Sequence, residues 1–258
     1  MTRPDSADDD FFVGYLPVPG RLRRKLALRV LVLAGVFLLT CLALARSTQG
    51  AGRAHFASAQ SSGTLGVFTA RPTAMLWTLD AAADGGVRGT LLVRQGKFGL
   101  RQNVAQLDGH AVRISGSTIE RDAQRMIELS SAPLLADAEL PEADRARIMA
   151  RARTVLGDVT LTGEIVDAKC YLGRMRPGDR RTHRACAQQC IAGGIPPVFV
   201  TRDALGVETL YQLSSRDGGS IASAILPFVA EPVEITGTLV RDGDAFVLQT
   251  DLAHVTRL

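Results

Sequence analysis

The rhythm of hydrophobic and polar positions changes several times along this chain, and each change predicts an element. Leu26–Ala45 is an almost unbroken apolar run. At ~1.5 Å per residue it matches the roughly 30 Å of a hydrocarbon core and predicts a membrane-crossing helix. Residues 1–25 ahead of it are mostly polar and charged, and residues 46–63 behind it are small and polar, reading as a flexible spacer. From Leu65 the pattern shortens to alternating runs. Leu65–Ala70, Ala74–Leu79, Gly89–Val93, Ala111–Ile119 and Arg125–Leu129 read as strands, with turns at Asp84-Gly85-Gly86 and Asp108-Gly109, so residues 64–135 predict a small β domain. Within 136–156, Pro141, Glu142 and Asp144 open a helix whose apolar face is Ala146, Ile148, Met149 and Ala152, a linker between domains. Alternation resumes in 157–258 with Val159–Val166, Val198–Thr201, Leu210–Leu213, Val233–Arg241 and Ala245–Asp251.

Val112-Arg113-Ile114-Ser115-Gly116-Ser117-Thr118-Ile119 aligns without a gap with Val233-Glu234-Ile235-Thr236-Gly237-Thr238-Leu239-Val240. A repeat of this kind marks two related units. Alternating apolar residues around a central glycine suit a strand that bends sharply while closing a small barrel. Short strands in this number with a brief helix predict a mainly β chain: one N-terminal helix, then two tandem five-stranded Greek-key barrels of the OB type.

Charge orients this plan. The net charge is +4, and Arg21, Arg23, Arg24, Lys25 and Arg29 crowd beside the apolar run. A basic flank on the N-terminal side predicts a cytoplasmic N-terminus and external barrels. Ala43-Leu44-Ala45 offers a cleavage site as the alternative, against the long polar lead and long apolar run. Cys41 follows Thr40, larger than the small residue that lipid attachment requires. Phe11, Phe12 and Tyr15 are interface candidates, either anchors at the bilayer surface or a contact for a partner. Aromatics make up only 5% of the chain, which speaks against a stacking platform for nucleic acid.

The chemistry concentrates at Cys170, His183, Cys186 and Cys190, spaced C-x12-H-x2-C-x3-C, where three of the four cysteines fall. The two later cysteines sit on a short helix closed by Gly193 and Gly194. On the oxidising side of a membrane the plain expectation is a disulfide from Cys170 to either Cys186 or Cys190, leaving one thiol over. The alternatives are a closed Cys3His set for zinc or Cu(I), and thiol–disulfide exchange. The last is disfavoured because no C-x-x-C opens a helix in a thioredoxin-like setting. Asp167 and Glu164 could accept hydrogen bonds from behind the ligands, though acids at a strand end are more simply solvated. Lys169 could lower a neighbouring thiol pKa but is more simply a surface lysine, as His183 beside its arginines is a surface residue. Lys97 could mark an anion-binding loop, against which the Walker pattern is absent. No motif of a hydrolase, metalloprotease or dinucleotide enzyme occurs.

Asp167-Ala168-Lys169-Cys170, Cys186-Ala187-Gln188-Gln189-Cys190, Gly193 and Val233-Glu234-Ile235-Thr236-Gly237-Thr238 together resemble a class of bacterial exported OB-like domains carrying D-x-x-C and C-x3-C elements, in a membrane-anchored branch. That class brings no activity with it. The overall plan is also similar to the haem chaperone of cytochrome c maturation, but none of His55, His110, His183 and His254 has a tyrosine four residues on, and C-x-x-C-H is absent. The leading expectation is therefore a non-enzymatic accessory or scaffold protein, single-pass in the bacterial inner membrane, with periplasmic barrels that bind a protein partner. Metal binding or delivery is the alternative, and thiol redox the third.

Overall fold

The structure, a computed structural model, describes residues 20–49, 54–100, 104–137 and 139–258. Phe11, Phe12 and Tyr15 lie outside the described residues. The chain divides into two compact units, Met1–Gly52 and Arg53–Leu258. The first contains helix α1, Gly20–Gln49. Its segment Leu22–Arg46 has a mean hydropathy of 2.5 and is long and apolar enough to cross a membrane, a test that a signal sequence also passes. Within it the Thr40 hydroxyl donates to the Val36 carbonyl at 2.8 Å, so the one polar side chain at mid-helix is satisfied by the helix itself.

The second unit opens with β1 (Ala54–Thr69), β2 (Met75–Leu79), β3 (Val87–Arg94), β4 (Ala111–Arg121), β5 (Gln124–Leu129) and the short β6 (Leu134–Leu135). Their order is β1-β2-β3-β5-β4, and β4 returns to pair with β1, closing a five-stranded barrel on which β6 extends β4. Helix α2 (Glu142–Met149) follows. Then come β7 (Arg153–Asp167), α3 (Arg180–Ala192), β8 (Pro197–Arg202), β9 (Glu208–Ser215), β10 (Pro232–Asp242), β11 (Ala245–Thr250) and β12 (Val255–Arg257). The second sheet runs β7-β8-β9-β11-β10, with β10 back on β7 and β12 extending β10. Both sheets pair their third and fifth strands in parallel. The two halves thus share one strand order, the Greek-key barrel of the OB type.

The sequence repeat falls on equivalent strands, β4 and β10. A Cβ on Gly116 would stand 2.3 Å from the Glu128 carbonyl oxygen, and one on Gly237 would stand 2.4 Å from that of Gln249. Each glycine lets the fourth strand press its backbone against the fifth where the barrel closes. Strand β1 begins at Ala54, inside the stretch read as spacer, and α1 runs on to Gln49. The small polar residues of 54–63 carry no alternation to read, but their backbone pairs with β4 from Ala54↔Arg121 onward, through two irregularities in register. α2 occupies only Glu142–Met149 of the expected linker.

Side-chain alternation explains how the barrels pack, because successive residues of a strand face opposite ways. Phe68, Leu76, Leu92, Ile114 and Ile127 fill the first barrel; Ile165, Phe199, Leu213, Ile235 and Leu248 fill the second. Their neighbours in sequence point the other way into a third cluster drawn from both barrels: Val67, Met75, Trp77, Leu91 and Val93 with Val166, Val198 and Val200. Ile148 of α2 joins this seam. Arg151 lies over the Trp77 ring at 4.1 Å while its Nε donates to Asp242 at 2.7 Å, so one residue ties the two barrels together. The halves form one body with a common apolar seam. The chemistry lies in the connection between β7 and β8.

Candidate metal centre

In the first barrel the first and second strands are joined by the short link 70–74; in the second the same connection, 168–196, carries a wide helical turn, Cys170–Arg174, and all of α3. Asp167, the last residue of β7, anchors both pieces. Its Oδ1 accepts the Cys170 backbone N–H at 2.8 Å, capping the turn, and its Oδ2 meets His183 Nε2 at 3.0 Å. Asp167 is 0% exposed and His183 4%. These burials correct the expectation that both were solvated: the i, i+3 cap draws the carboxylate inward, and the carboxylate draws the imidazole after it.

α3 turns a stripe inward. His183, Ala187, Cys190 and Ile191 are its buried residues, at the spacing that lines one face of a helix, with Cys186 half-buried at the edge. The helix ends at Gly193 and Gly194, where Gly193 N bonds Gln189 O and Gly194 N bonds Ile191 O, both at 2.9 Å. The closure is tight for a second reason. A Cβ on Gly193 would fall 1.8 Å from the Lys97 carbonyl oxygen of the first barrel, and Gly99 N donates back to Gly193 O at 3.2 Å. The loop around Lys97 is thus a packing surface for α3, and Lys97 itself is exposed.

Lys169 also departs from expectation. It is 2% exposed, and its Nζ reaches Glu128 at 2.9 Å, the Arg94 carbonyl at 2.8 Å and the Gly96 carbonyl at 2.7 Å. Two carbonyls of the other barrel accept hydrogen bonds from the ammonium and the Glu128 carboxylate balances its charge, which is what makes a buried lysine tolerable. Glu164, half-buried at the mouth, accepts the backbone N–H of Arg180, and burial raises its pKa.

Around this frame the predicted ligands converge. One ligand atom from each of Cys170, His183 and Cys186 lies within 4.8 Å of the others, and the same holds for Asp167, Cys170 and Cys190. Cys170 belongs to both groups, so all three thiols and the imidazole gather about it. All four cysteines of the chain, Cys41 included, are free thiols. A tetrahedral ion with metal–sulfur bonds of ~2.3 Å sets its ligands about 3.8 Å apart, so each group would have to draw together from within 4.8 Å to hold one. With Nε2 engaged by Asp167, Nδ1 of His183 is the nitrogen that would remain for a metal, and the buried carboxylate would fix the ring's orientation.

Protonation follows the geometry. A hydrogen bond from the Cys170 thiol holds Cys190 below the usual thiol range, while the same bond, with burial and the nearby Asp167 charge, drives Cys170 far above it. Cys186 is raised, chiefly by burial and then by the charge of Cys190, with Lys97 acting in the opposite sense. Hydrogen bonding to Asp167 lifts His183 above its ordinary value against the effect of burial. Cys190 is thus the thiol whose ionised form its neighbours support most, through hydrogen bonds from Cys170 and Cys186. Met175, which the spacing analysis did not single out, brings its Sδ to 3.9 Å from Cys186 Sγ. No family model matches the chain, and neither does any curated protein or solved structure.

Proposed function

We propose that this chain is a membrane-anchored protein whose second barrel binds a thiophilic metal ion, zinc or Cu(I), through Cys170, His183, Cys186 and Cys190. The observation that carries the reading is the convergence of three thiols and an imidazole about Cys170, with the imidazole oriented by a fully buried carboxylate. A structural histidine needs no such audience of sulfur, and a structural disulfide needs only two thiols. The basic flank of α1 supports a cytoplasmic N-terminus and barrels on the outer face of a bacterial inner membrane. The resemblance to exported OB-like domains with D-x-x-C and C-x3-C elements is compatible with that placement.

An accessory subunit that docks on a membrane complex fits the same architecture, and metal binding then serves assembly or delivery within the complex. Disulfide chemistry is the competing use of the sulfur: the paired protonation of Cys170 and Cys190 suits oxidation, but the burial of both impedes exchange with an outside protein. Full-length protein, purified in detergent with and without reductant and analysed for metal and intact mass, separates these. The metal reading expects about one zinc or copper per chain, lost in Cys186→Ser and Cys190→Ser variants. A metal-free protein whose intact mass reports a bridge and one alkylatable thiol of the three contradicts it.

A further inference from the structure

The thiol cluster has a buried side and an open side. Cys170, Cys190 and His183 are enclosed, Cys186 is half-buried, and Met175 beyond it is 48% exposed. The sulfur of Met175 does not point away into solvent; it lies 3.9 Å from Cys186 Sγ. An exposed methionine in a loop is ordinarily free to wander, but both neighbours of this one are fastened to the first barrel. Arg174 lies over the Phe56 ring at 4.4 Å and its Nε is 3.5 Å from Glu128, while Arg176 donates to the Ala54 carbonyl. Gly173, at φ 149°, lets the turn press against the backbone of His55, where a Cβ would come within 3.0 Å of its nitrogen. The thioether is thus held at the mouth of the cluster by contacts that do not involve its own side chain.

We propose that Met175 is a further metal ligand at the solvent side of this cluster, and that it fits the site to Cu(I). The proposal rests on the metal-binding reading above. Thioether sulfur is a good donor to Cu(I), and zinc sites are built from thiolate, imidazole and carboxylate without it. The run of donors from outside to inside is Met175, Cys186, then Cys170, Cys190 and His183. A cuprous ion arriving as a complex exchanges its carrier's ligands, which leave to solvent, for the Met175 thioether, the Cys186 sulfur and inner sulfur of the cluster, and each protonated thiol that binds it gives its proton to water. The ion remains Cu(I) throughout, and no electron moves.

The test is a pair of competition titrations on the full-length protein in detergent under anaerobic reducing conditions: Cu(I) against bicinchoninate, and Zn(II) against a chromogenic chelator. Met175→Leu keeps the volume of the side chain and removes its donor. It is expected to weaken Cu(I) binding roughly tenfold and leave Zn(II) binding unchanged. Met149→Leu, at a methionine equally exposed on α2, serves as the control and leaves both affinities alone. Unchanged zinc affinity in Met175→Leu also reports that the variant site is folded. If Met175→Leu binds Cu(I) as the parent does, or loses both metals together, the inference is overturned and the metal-binding reading stands. If the parent binds neither metal, both fall.

Discussion

The two barrels have the same strand order, the same parallel closure between third and fifth strands and the same glycine at the bend of the fourth strand. They differ most where the first strand meets the second: the first barrel crosses there in 70–74, and the second takes 168–196 to do it. Every candidate ligand lies in that longer connection, while Asp167 at its root holds His183. The difference teaches that the barrel is a frame and that the candidate ligands are gathered in one connection, on the side that the other barrel covers. The first barrel is accordingly more than a spare copy. Its Glu128 and the carbonyls of Arg94 and Gly96 hold Lys169, and its Lys97–Gly99 loop seats the end of α3.

The sharpest way to break this comparison is at Lys169. Lys169→Met leaves the buried Glu128 with only the half-exposed Arg174 at 3.5 Å and is expected to destabilise the protein by about 3 kcal/mol in urea unfolding, with much of the loss recovered when Glu128→Gln is added. A loss under about 1 kcal/mol would mean that the long connection is not held by the first barrel. Next is Asp167→Asn, which preserves shape but weakens the hold on His183. Metal affinity is expected to fall about 10–100-fold, read by chelator competition. An unchanged affinity would remove His183 from the ligand set.

The equivalence of the frames is tested by Gly116→Ala and Gly237→Ala. Each places a methyl against a carbonyl oxygen, at 2.3 and 2.4 Å respectively, and each is expected to cost about 1–2 kcal/mol. Strongly unequal costs would show that the two closures differ in kind.

The smallest effect is acid sensitivity at the seam. Glu208 of β9 receives Tyr171 Oη at 2.6 Å and Arg121 Nη2 at 2.7 Å. Burial alone would raise its pKa, but the hydrogen bonds from Tyr171 and Arg202 and the charge of Arg121 outweigh it and leave the carboxyl below its usual range. A carboxyl lowered by folding stabilises the native state above its unfolded pKa, and that stability is lost as pH falls through the folded value. A shallow decline below about pH 4 is expected in the parent and reduced in Glu208→Gln. An identical acid limb in both would remove this network from the seam.

Much of the frame was legible because it is written in side chains. Alternating runs, the glycine at each bend and the pair of glycines after α3 all announce themselves locally. The strand at 54–63 did not, since its run of small polar residues shows no alternation, although its backbone pairs with β4 and Phe56 packs on the seam. Nor did the seam, because alternation says that Trp77 and Leu76 face opposite ways without saying that both faces are covered. At the site, the cysteines and His183 were found by residue type and spacing. Lys169 was misjudged because its partners at Arg94, Gly96 and Glu128 come from the other barrel. Asp167 carried a usable signal in its three-residue offset from Cys170, a spacing that caps a turn. Met175 carried none, since only the fold brings it to Cys186.

The central claim is that the long connection of the second barrel encloses a metal ion in sulfur and one imidazole. X-ray absorption at the metal edge of the loaded full-length protein tests it most directly. For bound zinc the account predicts a shell dominated by sulfur at about 2.3 Å with a nitrogen near 2.0–2.1 Å, and loss of one sulfur in Cys190→Ser. A shell of oxygen and nitrogen alone, or a spectrum that Cys190→Ser leaves unchanged, would contradict it.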